Sequence, residues 1–266
     1  MLTAPVTTAP AVSFWSRNRL PKPFQMAFTT RLSGLSASPC DSLNLALHVG
    51  DDPRRVRENR QRALEACGLD AGACVVAQQV HGSICAHVDQ ADSGRGALSH
   101  SDAIASVDAL VTTTRNLPLM SLSADCLLLV LGDPVAGVLG VAHAGWRGMA
   151  DGVIAATVDC MREAGAVPQR VHVCGAPSIG PCCFAIGADA ALALGAQHLL
   201  QRDGDVFADL RESAREQLQR EGIAAQRIGI DTACTCCRER EFFSHRRATR
   251  QGLRTTGRMA MIAWMG

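Results

Sequence analysis

Net charge is almost absent from this chain: 26 Lys and Arg stand against 25 Asp and Glu, a formal +1 at pH 7. Proteins that hold nucleic acid through its phosphates carry a basic field, so a nucleic-acid partner is not expected. Lysine is nearly missing, with Lys22 alone, so the positive charge is guanidinium. Guanidinium forks suit phosphate and carboxylate, although a GC-rich genome produces the same bias. No apolar run approaches the ~18 uninterrupted residues of a membrane span, and a soluble protein is expected. The N-terminal segment lacks an apolar core followed by a cleavage site. The 12 cysteines are therefore read as belonging to a reducing cytoplasm rather than to a secreted disulfide scaffold.

Several chemical signatures are missing too. There is neither a Gly-x-x-x-x-Gly-Lys-Ser/Thr phosphate loop nor a Gly-x-Gly-x-x-Gly fingerprint, which argues against the common nucleotide folds. No histidine has Glu two residues later, so the zinc deaminase signature of nucleobase-editing enzymes is absent. No His-x-His pair occurs, and 8 histidines cannot easily furnish a multicopper cluster.

What is present reads as strands and helices without strict alternation. Residues 1–23 are rich in Thr, Pro and Ala and read as a flexible arm, with structure expected from Phe24 onward. Residues 24–31, 74–80, 84–88, 109–113, 119–131, 137–143, 170–174, 228–231 and 259–264 read as strands. Asp52-Pro53 opens a helix that ends near Gly68, and helices are expected over 148–165, 188–200 and 206–220. No linker divides the interior. The expectation is one α/β domain over 24–266, α+β-like, with a mixed central sheet flanked by helices.

Three segments share a grammar in which an apolar run meets a metal-capable side chain and then a small residue. They are Val80-His81-Gly82, Ala124-Asp125-Cys126 and Ala142-His143-Ala144. Three His and Cys ligands suit Zn²⁺ and leave a fourth position for water or substrate. Each residue taken singly is more often a hydrogen-bonded or packed side chain than a ligand. Arg147 lies four residues beyond His143 before a helix, where an anion is favoured. Arg60 and the Arg246-Arg247 pair are further anion candidates. Cys182-Cys183 and Cys234-Thr235-Cys236-Cys237 lack the two paired Cys-x-x-Cys elements of a structural zinc site and read as packed or surface thiols.

A longer series of motifs runs in order along the chain. It includes Thr30-Arg31, Asp41-Ser42-Leu43-Asn44-Leu45, Val49-Gly50-Asp51-Asp52, Glu58-Asn59-Arg60 and Gln79-Val80-His81-Gly82. It continues with Ala124-Asp125-Cys126, His143-Ala144-Gly145-Trp146-Arg147-Gly148, Ser178-Ile179-Gly180-Pro181, Phe242-Phe243-Ser244 and Thr256-Gly257-Arg258-Met259-Ala260. From about residue 24 to its end the chain thereby resembles the YfiH family, also called the laccase-domain or multicopper polyphenol oxidase family.

The resemblance implies a single domain of the YfiH-like and cytotoxic-necrotizing-factor-like group. It implies a zinc site at His81, Cys126 and His143. It also implies phosphorolysis of adenosine, inosine and methylthioadenosine, with adenosine deamination in the same site. Leu32 to Ser36, Ala176, Ala185 and a longer 247–256 segment depart from the family pattern, which leaves the pocket wall and substrate preference open.

The expected enzyme is a cytoplasmic purine nucleoside phosphorylase, monomer or homodimer, acting on nucleoside and phosphate. His81, Cys126 and His143 are its metal and catalytic residues, and Asn44, Arg60 and Arg147 its substrate contacts. One alternative makes Cys126 a nucleophile activated by His143, in a hydrolase editing cell-wall precursor peptides. Others are a copper-dependent phenol oxidoreductase and a non-catalytic metal-dependent binding protein.

Overall fold

The strands are nearly continuous apolar runs, as expected where both faces of a sheet are covered. The computed structural model, which describes residues 11–17 and 20–266, has that layout. The chain begins with β1 (Phe14–Arg17), β2 (Phe24–Thr29), α1 (Pro53–Glu65), β3 (Val75–Val76), β4 (Cys85–His87), β5 (Ala109–Thr112) and β6 (Leu119–Ser123). It continues through β7 (Leu127–Asp133), β8 (Val138–Ala144), α2 (Trp146–Ala150), α3 (Val153–Glu163) and β9 (His172–Gly175). The remainder comprises α4 (Ala188–Leu194), β10 (Leu199–Arg202), β11 (Asp205–Ala208), α5 (Leu210–Arg220), β12 (Ile228–Ile230), α6 (His245–Arg250) and β13 (Met259–Met265).

Two mixed sheets form the centre, one ordered β1-β2-β13-β6-β3 and the other β12-β9-β7-β8-β5-β4. The period of two along each strand sorts its side chains into different layers. On β7, Leu128 and Val130 share a core with Phe28, Met259 and Met261 of the first sheet, whereas Leu127, Leu129 and Leu131 join Val158 and Met161 of α3 and Leu218 of α5. On β13, Ala260, Ile262 and Trp264 turn the other way, toward Leu64 of α1. The layers therefore run α1, first sheet, second sheet, then α3 with α5. Each buried Leu, Ile or Met contributes about 1.5–3 kcal/mol. This is the expected mixed α/β fold, built with two central sheets instead of one.

Several local expectations are corrected. Phe14–Arg17, placed in a flexible arm by the sequence reading, pairs with β2, and the Trp15 Nε1–H donates to Asp231 at 3.0 Å while its ring meets Phe242. Within that arm, residues 1–10 and 18–19 lie outside the described set. The helix expected over 148–165 breaks at Gly152, whose φ of 91° leaves the helical region. Residues 199–208 form a hairpin, taking the end of the helix expected over 188–200 and the start of the one expected over 206–220. Asp203 and Gly204, with φ of 51° and 84°, supply the two left-handed residues that a tight hairpin turn demands. A short helix, α6, appears where none was expected, its Ser244 cap accepting from the Arg247 amide.

The split of residues 119–131 matters most for the site. β6 ends at Ser123 in the first sheet and β7 starts at Leu127 in the second, so Ala124-Asp125-Cys126 is the crossing between sheets. The antiparallel register of β7 and β8 sets Leu127 opposite Ala144 and Leu128 opposite His143. Cys126 and His143 are thereby placed at the same end of one hairpin.

Candidate active site

His81, Cys126 and His143 meet at that end, their ligand atoms all within 4.8 Å of one another. The two imidazole rings stand edge to face with centroids 4.8 Å apart. His143 is buried, Cys126 partly buried and His81 exposed, so the cluster is reached from solvent on the His81 side.

Asp108 organises this cluster and was not anticipated from sequence. It is 2 % exposed. Its Oδ1 accepts from His143 Nδ1 at 2.8 Å and from the His81 amide at 3.0 Å, and its Oδ2 accepts from the Val80 and Gly82 amides at 3.0 and 2.8 Å. The Asp108 carbonyl also accepts from the His143 amide at 2.7 Å. One carboxylate thus folds the 80–82 loop, holds His81 in a left-handed conformation with φ of 63°, and fixes the tautomer of His143 so that Nε2 is left for Cys126 or a metal. Burial on its own raises the Asp108 pKa, but these hydrogen bonds and the charge of His143 hold it below the usual carboxylate range.

Cys126 and His143 act as a pair. Burial favours the neutral thiol, yet the charge of His143 and hydrogen bonds from both imidazoles pull Cys126 down to about 6. Burial likewise favours neutral His143, and the Cys126 charge with the Asp108 hydrogen bond lifts it to about 9. The site therefore favours a thiolate, the form that binds metal or attacks as a nucleophile. Gly145 leaves room for the cluster, since a Cβ there would lie 3.0 Å from Cys126 Sγ and 3.2 Å from His81 Cδ2.

Asp125 holds the sheet crossing. Its φ of 98° is a conformation that non-glycine residues seldom adopt. The carboxylate compensates by accepting from Thr235 Oγ1 at 2.6 Å, Ser244 Oγ at 3.0 Å and the Arg246 amide at 2.7 Å. This ties the start of α6 to the residue preceding Cys126.

The trio opens into a pocket of about 440 Å³ whose wall includes Trp146, Ile179, Phe184 and Leu210, with Arg147, Arg246 and Arg258 facing the same space. The Arg147 guanidinium lies 4.4 Å from the Trp146 ring centre, and among the described residues it has no hydrogen bond or ion pair. It is free to take an anion. Arg246 stands over the Phe184 ring at 5.5 Å and donates to the Cys183 carbonyl. His48 also lines the pocket, and burial, with the charges of His100 and Arg258 adding, pushes its imidazole down to about 4, leaving it neutral at pH 7.

Two residues expected to contact substrate do not line this pocket. Arg60 is 4 % exposed and absent from this pocket, its guanidinium spent on the carbonyls of Leu45, Gly96 and Ala97. Asn44 is fully buried, donating to Asp51 and accepting from the Ala46 and Arg258 amides. It positions the backbone of Arg258, which lines the pocket. Arg246, Arg258 and His48 replace Asn44 and Arg60 as groups facing the pocket. A basic helix face and a buried guanidinium look alike in sequence, so only burial separates them.

Residues 25–266 match the profile of the family described as multi-copper polyphenol oxidoreductase laccase. The chain is 36% identical over 253 residues to a Corynebacterium glutamicum protein named purine nucleoside phosphorylase, covering 94% of this chain and 96% of that one. It is 34% identical to the Escherichia coli purine nucleoside phosphorylase YfiH, covering 92% and 95% of the two chains. Among solved structures, YlmD from Geobacillus stearothermophilus superposes with a TM-score of 0.87 at 33% identity, covering 92% of this chain and 94% of that one. The Bacillus licheniformis hypothetical protein YfiH gives 0.87 at 32% identity, covering 91% and 93%.

Proposed function

This chain belongs to the multi-copper polyphenol oxidoreductase laccase family, whose relatives include purine nucleoside phosphorylases, and on that premise we propose that it cleaves purine nucleosides by phosphorolysis. The observation that carries this reading is a single pocket shared by the His81–Cys126–His143 cluster, a free guanidinium at Arg147 and an apolar wall with two aromatic rings.

In phosphorolysis a phosphate oxygen bonds to the ribose C1′ while the bond from C1′ to purine N9 breaks and its electron pair leaves on the base. The chain must hold a phosphate dianion against a sugar carbon that becomes positive. Arg147, with Arg246 and Arg258 beside it, supplies that hold through charge-assisted hydrogen bonds. Trp146 and Phe184, with Ile179 and Leu210, supply the apolar wall that a purine would pack against. Neither Asp108 nor Asp125 serves as general base, because both oxygens of each carboxylate are occupied by hydrogen bonds.

Two imidazoles and a thiolate within 4.8 Å, with the carboxylate of Asp108 behind His143, are a fitting donor set for Zn²⁺. Zinc held there would lower the pKa of a bound water from about 15.7 toward roughly 7, the chemistry that adenosine deamination requires. On this reading adenosine, inosine and methylthioadenosine are substrates, and inosine is also a product.

A second reading rests on a specific alignment. Cys126, His143 and Asp108 are ordered as nucleophile, base and orienting carboxylate, the arrangement of a cysteine hydrolase. The two readings separate on inhibition. Purified protein incubated with a purine nucleoside panel and phosphate should release free base and (methylthio)ribose-1-phosphate, and a chelator should abolish the deamination. Hydrolysis of amide substrates that survives chelation but not alkylation would favour the nucleophile.

A further inference from the structure

The structure draws together two pairs of cysteines that lie more than 50 positions apart in the sequence. Cys182, Cys183, Cys234 and Cys237 place their sulfurs within 4.8 Å of one another, with Cys237 Sγ 3.6 Å from Cys182 and 3.4 Å from Cys183. Two loops meet here. In one, the Cys183 amide donates to the Gly180 carbonyl at 2.9 Å. In the other, the Arg238 amide donates to the Cys234 carbonyl at 3.0 Å, and the loops are laced together by the Thr235 amide donating to Ser178.

Packing does not account for this group. Cys182 and Cys237 are exposed, whereas thiols retained for packing are among the most buried side chains. A disulfide would use two of the four and requires sulfurs about 2.05 Å apart. Tetrahedral zinc with Zn–S bonds of about 2.3 Å spaces its sulfurs about 3.8 Å apart, which lies between the contacts seen here and the spread of the group.

Two further features suit a thiolate cage. The Gly180 amide points at Cys234 Sγ at 3.2 Å, a hydrogen bond that stabilises a ligating thiolate. Four thiolates around a divalent ion leave a net charge of −2, and three guanidinia surround the cluster. Arg202 donates to the Cys182 carbonyl at 3.1 Å, Arg246 to that of Cys183 at 3.1 Å, and Arg247 to those of Thr235 and Cys236 at 3.0 Å each.

We infer that Cys182, Cys183, Cys234 and Cys237 form a second metal site, a tetrathiolate for a soft divalent cation, zinc above all. All four tetrahedral positions are filled by protein, so the site is structural. It pins the 180–183 loop to the 234–237 loop, and with them Arg246 and Phe184, which line the pocket described above. The inference does not depend on what the His81 cluster binds.

The test compares zinc content of the wild type with that of Cys182→Ser/Cys237→Ser, both purified under reducing conditions and dialysed against Zn²⁺. Both substitutions are on exposed side chains. The variant should hold about one zinc fewer per chain, whatever the wild-type total. Equal stoichiometry, or a disulfide among the four cysteines of the reduced wild type, would overturn the inference. A second variant guards against simple misfolding of the first. His81→Ala, loaded with Co²⁺, should retain the absorption of a tetrahedral tetrathiolate, and its absence would also overturn the assignment.

Discussion

Asp108 and His143 are joined twice, by Oδ1 to Nδ1 at 2.8 Å and by the Asp108 carbonyl to the His143 amide at 2.7 Å. The same carboxylate accepts from three successive amides of the loop that carries His81. One buried side chain therefore sets the distance between the two imidazoles. Asp108→Asn removes the tautomer constraint and replaces one acceptor oxygen with an amide donor facing backbone N–H groups. Metal affinity should fall about 10- to 100-fold, measured by competition with a chromogenic chelator. An unchanged affinity would show that Asp108 does not orient the ligands.

Arg147 and Arg60 should separate function from stability. Arg147→Ala removes a free cation from the pocket wall, and KM for phosphate should rise about 10- to 100-fold, the worth of one or two charged hydrogen bonds, with little change in thermal midpoint. Arg60→Ala orphans three buried carbonyls and should destabilise the fold by at least about 2 kcal/mol. Denaturant titration and phosphate kinetics on both variants check this, and the reverse pattern would return Arg60 to the site.

Two glycines make the cluster possible. A Cβ at Gly148 would lie 2.6 Å from the Gly82 carbonyl, which is main chain and cannot swing aside. Gly148→Ala should displace the His81 loop and lower metal affinity at least about 10-fold. A Gly145→Ala side chain meets Cys126 Sγ at 3.0 Å and His81 Cδ2 at 3.2 Å, and its effect should be smaller because those side chains can yield. Metal titration of both variants gives the order, and an equal loss would contradict it.

Acid stability should depend on Asp133, fully buried at the β7–β8 turn. Burial raises its pKa, but donation from Arg170 and from the Val135, Ala136 and Val167 amides outweighs that and holds it below the usual range. Its folded pKa is the lower one, so its contribution is complete above the unfolded value of about 3.9 and is lost as pH falls through the folded value. Asp133→Asn should be less stable at neutral pH and lose less stability on acidification. Urea melts from pH 7 to pH 3 measure the difference, and parallel curves for the two proteins would refute the assignment.

The sequence made the strand ends readable because apolar runs stop where chemistry begins. His143 follows from that, whereas Cys126 falls inside the single strand read over 119–131, and only the split into β6 and β7 brings it to the His143 end of the hairpin. Asp108 was hidden because it acts through amides 26 to 28 positions away, a pairing with no local pattern. The Asp203-Gly204 turn was legible in principle, as Asp-Gly is a strong hairpin signal, but helical spacing in the flanking residues masked it. The four-cysteine cluster was hidden by a still greater distance in sequence. Cys234 and Cys237 have a ligand spacing, yet their partners are adjacent residues on another loop.

The phosphate dependence of base release tests the central claim most directly. Purified zinc-loaded protein is incubated with adenosine over a range of inorganic phosphate, and adenine, inosine, hypoxanthine and ribose-1-phosphate are quantified. The account predicts free base formed one for one with ribose-1-phosphate, saturating in phosphate, and weakened in phosphate affinity by Arg147→Ala. Base released without phosphate, or no base released at saturating phosphate, would contradict it.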